Sequence, residues 1–150
     1  MTKPFQSAVA LLGRLLIAAL FLPQGIAKLT GFAGTVGYVA SAGLPMPALG
    51  ATIALSVEIL CSVALIAGYG TRIAALVLAI FTLAASYFFH AYWAAPADQV
   101  FVASLLFYKN IAVIGGLLVV AAFGPGAWSI EGRSASQRAP GTLKMSGAHA

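Results

Sequence analysis

The sequence is poor in charged residues, and in acidic residues above all. Only 7% of its 150 residues are charged, and three of these are acidic. A soluble domain carries about 25% charged residues. Hydrophobic residues make up 61% of the chain, and the mean hydropathy is +1.00. The composition therefore excludes an ordinary soluble domain and indicates a single integral membrane domain.

Cysteine and histidine are scarce as well. The single cysteine, Cys61, excludes an intrachain disulfide, a CxxC redox pair and a thiolate metal cage. His90 is the only histidine in an apolar stretch, which argues against haem, because its axial ligand is usually paired with a second one. No Ser/His/Asp set, carboxylate pair or phosphate-binding glycine loop is present. We therefore predict no metal site and identify no catalytic residue, so any enzymatic role is that of a non-catalytic subunit.

The net charge of +5 does not indicate nucleic-acid binding. Three of the eight basic residues lie in the last 18 positions, and the others are scattered singly. No basic stripe is interleaved with aromatic residues, so nucleic acid is not a predicted partner.

Four apolar stretches are long enough to cross a bilayer, which takes about 20 mostly apolar residues. They cover residues 6–26, 48–67, 71–92 and 101–123. Gly- and Pro-rich segments separate them, and Gly68-Tyr-Gly70 leaves room only for a hairpin turn. Arg14 interrupts the first stretch and three more follow, which favours a span over a cleaved signal peptide. The prediction is an all-α, four-helix membrane bundle in residues 1–131, followed by a disordered tail in residues 132–150.

Basic residues near the ends of the spans predict that both termini are cytoplasmic. The inner side would carry Lys3, Arg72, Arg133, Arg138 and Lys144, and the outer side Lys28 and Asp98. The aromatic run 87–93 would mark the outer interface and Trp128 the inner one. The pair Gly115-Gly116 predicts close helix packing.

Six strongly polar or ionisable residues lie within the spans or at their rims: Arg14, Gln24, Glu58, His90, Lys109 and Asn110. At 1.5 Å per residue, Arg14 and Lys109 would lie about 12 Å deep and Glu58 about 15 Å deep. A charge at the bilayer centre costs at least about 2.5–3.5 kcal/mol, so each of them needs a partner.

Glu58 is the only acid in any span, which makes it the natural counter-ion for Arg14, for Lys109, or for both. In a structural interpretation, an Arg14–Glu58 pair sets the helix register, and Lys109 and Asn110 extend the network to backbone carbonyls. In a functional interpretation, the charge left over is completed by a quinone carbonyl, a fatty carboxylate or an anion. His90, Lys109 and Asn110 would then contact a quinone head group, unless His90 is only an interfacial anchor.

Several segments, in order, resemble the DoxX family of small bacterial four-helix membrane proteins. They are GRLLIAALFLPQGIAKL (13–29), GLP (43–45), Glu58, GYGTRIAA (68–75), FYKNIAVIGGLL (107–118) and GPGAWSIE (124–131). The resemblance covers residues 8–131 and implies a multi-pass protein of the bacterial inner membrane. It marks as family-like polar positions Arg14, Lys28, Glu58, Arg72, Lys109 and Asn110.

The family takes its name from a small subunit of a thiosulfate:quinone oxidoreductase. The resemblance therefore implies a membrane subunit or anchor of an oxidoreductase system near the quinone pool, with quinone as the expected cofactor. Its partners would be the lipid bilayer and a redox protein or a second copy of the chain. Two alternatives stay open: a transport element for an organic acid or a lipid, and a purely structural interaction protein. The single cysteine argues against thiol-based sulfur chemistry within the chain.

Overall fold

The computed structural model describes residues 3–138, with side chains for residues 3–134. Its helices are α1 (Lys3–Thr30), α2 (Phe32–Ser41), α3 (Pro47–Ala67), α4 (Thr71–Phe89), α5 (Val100–Phe123) and α6 (Ile130–Arg138). A single 3₁₀ turn, Tyr92–Ala94, follows α4. No strand occurs in the described residues.

The four predicted spans are confirmed as α1, α3, α4 and α5, each long and apolar enough to cross a membrane. Helix α1 begins three residues before the predicted span and ends four residues after it. It runs through Pro23 without a break. The third span ends as an α-helix at Phe89, before the predicted end at Tyr92.

The bundle is built in the order α1, α3, α4, α5, each helix packing on the next, while α1 and α5 touch little. Small side chains allow the helices to approach closely, as is usual in membranes. The core consists of Ala18, Phe21, Leu65, Ala75, Leu78, Ala79 and Leu117. Helix α5 buries only Asn110 and Leu117. A Cβ at Gly115 would meet nothing within 4 Å of the described chain, and one at Gly116 would lie 4.0 Å from Ile17 Cδ1, so this pair makes an ordinary contact with α1 rather than a close one.

Helix α2 was missed from the sequence, where its glycines and its length of ten residues resemble a loop. It follows α1 after Gly31 and packs on α3, where a Cβ at Gly50 would lie 3.1 Å from Val39 Cγ1. We call this end of the bundle the α2 end. It also holds the end of α4 and the start of α5, because neighbouring spans are antiparallel.

The opposite end, the α6 end, is closed by residues 124–131, here called the closing segment. Ser129 Oγ accepts a hydrogen bond from Gly132 N at 2.9 Å, which caps α6. The Glu131 carboxylate accepts one from Thr71 N at 3.2 Å, and Glu131 N donates to Gly68 O at 3.1 Å. The closing segment therefore caps α4 and joins the α3–α4 turn. Helix α6 extends into the predicted tail as far as Arg138, and residues 139–150 lie outside the described part of the chain.

Replacing Gly68 by alanine is expected to destabilise the α6 end by about 1–3 kcal/mol, the usual cost of overpacking. Gly68 has φ +68°, and a Cβ there would overlap with Ser129 Cβ. Gly70 has φ +59° but has nothing within 4 Å of a Cβ, so Gly70→Ala is the matched control, which keeps the backbone strain alone. Thermal unfolding in nanodiscs would measure the stability of both variants. Equal losses of stability would show that the contact with Ser129 does not matter.

Candidate functional site

Arg14 lies at the α6 end and does not contact Glu58. It is 1% exposed, and its guanidinium donates to Leu65 O at 2.7 Å and to Trp128 O at 2.6 Å. These carbonyls lie at the end of α3 and in the closing segment, where helix C-termini leave acceptors free. The expected pairing of Arg14 with Glu58 is therefore wrong: the long side chain reaches backbone acceptors at the end of the bundle instead.

Glu58 pairs with Lys28, which the sequence placed at the rim on the outer side. The Lys28 Nζ atom lies 3.0 Å from Glu58 Oε1 and 2.8 Å from Oε2. Helix α1 approaches α3 closely here, since a Cβ at Gly25 would lie 2.7 Å from Ile59 Cγ1. Lys28 is one turn beyond Gly25, on the face that meets α3. The close approach brings the ammonium to the carboxylate, so Lys28 takes the place expected for Arg14 or Lys109.

A cavity of about 430 Å³ lies in the half of the bundle towards the α2 end. Its ionisable and amide side chains are Gln24, Lys28, Glu58, His90, Lys109 and Asn110. Five of the six polar residues predicted from the sequence therefore meet in one place; Arg14 does not, and Lys28 joins them. The cavity volume is within the range of small-molecule sites, roughly 300–1,000 Å³.

Apolar side chains and small residues form most of the remaining wall. The aromatic ones are Phe21, Phe81, Phe88 and Phe89, with Tyr38 from α2. The Tyr38 ring stacks on Phe89 with centroids 4.9 Å apart, which joins α2 to the end of α4. Helix α2 thus forms one side of the cavity, and aromatic walls of this kind suit a flat, apolar ring.

Asn110 is held in place by a short chain of hydrogen bonds. Its Nδ2 donates to Ser86 Oγ at 2.9 Å, and Ser86 Oγ donates to Thr82 O at 2.6 Å. Ser86 is fully buried and Asn110 is 9% exposed. The contact fixes α5 against α4 at the level of the cavity and leaves the amide oxygen of Asn110 as its remaining acceptor. Ser86 was missed from the sequence because small hydroxyl residues in an apolar run give no distinctive pattern.

Lys109 is the unpaired cation of the site. Its side chain is exposed, and among the side chains described, residues 3–134, it has no hydrogen-bond or ion-pair partner. Lys109 lies in the middle of the third turn of α5, within the fourth span. A charge at such depth costs at least about 2.5–3.5 kcal/mol unless it faces the bundle interior or a wet cavity. The cavity therefore accounts for the position of Lys109.

Exposed members of the cavity wall lie on α1 and on α5. Gln24 on α1 and Lys109 on α5 both line it and are both exposed. These two helices touch little along their length. A ligand with a long apolar tail could therefore place its head group in the cavity and leave its tail in the lipid.

Aromatic residues cluster at the α2 end, which holds the run 87–93 predicted for the outer interface. Tyr92, Trp93, Phe107 and Tyr108 contact one another edge to face or tilted. The hydroxyl oxygens of Tyr92 and Tyr108 lie 3.3 Å apart. Trp128, expected to mark the other interface, is 51% exposed at the α6 end. In the described residues, no three His, Cys, Asp or Glu side chains are grouped to hold a metal.

Comparison with known proteins gives the chain's family. The family model described as DoxX matches residues 9–91, more than half of the chain. Inner membrane protein YphA of Escherichia coli (strain K12) is 37% identical over 123 residues, which cover 82% of this chain and 88% of that protein. Inner membrane protein YqjF of the same organism is 38% identical over 129 residues, 86% of this chain and 94% of that protein. No solved structure matches.

The four apolar helices and these relatives together define a multi-pass protein of the inner membrane. With the family model covering α1, α3 and α4 and the relatives covering more than four fifths of the sequence, the chain belongs to the DoxX family.

Proposed function

We propose that the protein is a membrane subunit or anchor of an oxidoreductase system near the quinone pool, and that its cavity receives a quinone head group. The observation that carries the proposal is the convergence of Lys109, His90 and Gln24 on an aromatic-walled cavity, where Gln24 and Lys109 are exposed. A quinone suits such a cavity, because it has a flat ring with two carbonyl acceptors and an apolar tail.

The donors of the cavity suit two carbonyl oxygens. The Lys109 ammonium can donate up to three hydrogen bonds, and the Gln24 side-chain amide can donate two. Asn110, fixed by Ser86, keeps α5 in register so that Lys109 points towards the ring. A hydrogen bond from a charged donor is roughly twice as strong as a neutral one, so Lys109 is the principal contact.

In this function, a partner redox protein supplies the electrons. With Cys61 as its one cysteine, a single chain cannot form a dithiol–disulfide couple. The role of this chain is then to hold the quinone at a fixed place in the membrane and to bind the partner. With both termini cytoplasmic, as the distribution of Lys and Arg predicts, the cavity would face the outer half of the bilayer.

Replacing Lys109 by methionine is expected to weaken quinone binding at least about tenfold, the loss of roughly 1.4 kcal/mol, without unfolding the bundle. Native mass spectrometry of protein extracted gently from its own membrane should show bound quinone in the wild type and much less in Lys109→Met. Lys3→Met is the matched control, because Lys3 is an exposed lysine at the other end of the bundle. Respiration through the partner complex should fall with quinone occupancy.

Two results would count against this proposal. If the wild type carries no quinone and binds none when it is added, the function is wrong. If Lys109→Met binds quinone as the wild type does, the assignment of Lys109 is wrong. Proteoliposome flux of an organic acid that depends on Glu58 would favour the transport alternative, for which the unbroken path of α1 through Pro23 gives no support.

A further inference from the structure

The charges around the cavity do not balance. Two lysines and one glutamate line it, and both carboxylate oxygens of Glu58 are engaged by Lys28, at 3.0 Å and 2.8 Å. Glu58 is 5% exposed, and among the described side chains Lys28 is the cation that lies within ion-pair distance of it. Lys109 remains as an uncompensated positive charge, and within the described chain the acids Asp98 and Glu131 do not line this cavity.

The position of Lys109 makes that excess charge effective. Lys109 lies nine residues after Val100, about 14 Å along α5. The wall around it is mostly apolar, and charges beside such a wall are screened less than at a fully hydrated surface. A neutral carbonyl would give Lys109 a hydrogen bond but would leave its charge uncompensated. An oxygen that carries a negative charge would accept the hydrogen bond and would also compensate the charge of Lys109.

We infer that the cavity selects a ring ligand that carries one anionic oxygen, as an ionised hydroxyquinone does, over its neutral counterpart, because Lys109 is left without a counter-ion. This inference rests on the proposed function, since it names the class of quinone that the same site takes. Lys109 binds the anionic oxygen, the neighbouring donors bind the ring carbonyls, and the aromatic side chains enclose the ring. Lys28 acts indirectly: by pairing with Glu58 it neutralises the acidic side chain in the described cavity wall, so that Lys109 keeps its charge.

The test compares two probes of nearly equal shape. The full chain in nanodiscs of zwitterionic lipid is titrated at neutral pH with 2-hydroxy-1,4-naphthoquinone, which is then ionised, and with neutral 1,4-naphthoquinone. Empty nanodiscs correct for partition into lipid. We expect the anionic probe to bind at least about tenfold more tightly to the wild type. Lys109→Met should remove the preference, Lys109→Arg should keep most of it, and Lys3→Met should leave it unchanged.

The outcomes separate this inference from the proposed function. If the neutral probe binds as tightly as the anion, the charge selection is wrong and the quinone site stands. If neither probe binds, the proposed function fails and the inference fails with it. Laurate provides the third arm: if it displaces the anionic probe with equal affinity, the site takes any anionic amphiphile and the selection of a ring is wrong. A preference that survives in Lys109→Met would overturn the role of Lys109.

Discussion

Arg14→Met is expected to lower the free energy of unfolding by about 2–4 kcal/mol, because it leaves one buried and one partly buried carbonyl without a donor, at about 1–3 kcal/mol each. Arg14 is 1% exposed and donates at 2.7 Å to Leu65 O and at 2.6 Å to Trp128 O. Methionine fills much of the same space but donates nothing. The end of α3 would then lose its link to the closing segment.

Arg72→Met is the matched control for this substitution. Arg72 also donates to backbone carbonyls at a helix end, at 3.1 Å to Ala121 O and 2.7 Å to Ala122 O, but these contacts are exposed. Water can replace its donors, so we expect a loss of at most about 1 kcal/mol. Equilibrium unfolding in mixed micelles would measure both variants. Equal losses would show that the acceptors of Arg14 are hydrated when it is removed.

Arg14→Met should also leave ligand binding at the cavity intact wherever the variant is folded. Arg14 does not line the cavity, and its contacts lie at the opposite end of the bundle. The same titration with 2-hydroxy-1,4-naphthoquinone would check this. A folded Arg14→Met protein that no longer binds the probe would mean that the two ends are coupled.

The spans could be predicted from the sequence because bilayer thickness fixes the length of an apolar helix. The α3–α4 hairpin followed from Gly68 and Gly70, which adopt positive φ values of 68° and 59°. Helix α2 could not be predicted, since at ten residues it is too short for a span and owes its place to packing on α3. Propensity alone is a weak guide for such a segment.

The members of the site were largely predictable, but their pairing was not. Polar residues in apolar spans turn inwards, which brought Gln24, Glu58, Lys109 and Asn110 together. The partner of Arg14 could not be predicted from charge and depth, because it donates to backbone carbonyls. Every residue has a backbone carbonyl, so the sequence does not show which of them is free. The partner of Lys28 could not be predicted because the close approach at Gly25 depends on tertiary packing. The stripe Arg14, Ala18, Phe21, Gly25, Lys28, spaced by three or four residues, was the available signal for a common face of α1.

Lys28→Met is expected to lower the free energy of unfolding far more than Glu58→Gln does. Lys28→Met leaves Glu58, whose side chain is 7% exposed, without a cation. Breaking a buried pair in this way costs about 3–5 kcal/mol. Glu58→Gln leaves a lysine whose side chain is 26% exposed and two residues from the end of α1. That lysine can reach towards the interface, so we expect a loss of no more than about 1.5 kcal/mol.

The double variant Lys28→Met/Glu58→Gln should recover much of the stability that Lys28→Met loses, because no buried charge is then left unpaired. A double-mutant cycle on the free energy of unfolding would give the coupling between the two residues. Equal costs for the two single variants, with additive behaviour in the double, would show that the pair is hydrated and that burial does not distinguish its members.

Ligand binding by the same variants separates stability from charge. Glu58→Gln adds one positive charge to the cavity and should bind the anionic naphthoquinone at least as tightly as the wild type. Lys28→Met removes one and should bind it more weakly, even under conditions in which the variant is fully folded. If both variants bind the anion with wild-type affinity, Lys109 acts only through its own hydrogen bond. If the affinity for the anion rises in Glu58→Gln and falls in Lys28→Met, the Lys28–Glu58 pair determines the electrostatic potential in which Lys109 binds its ligand.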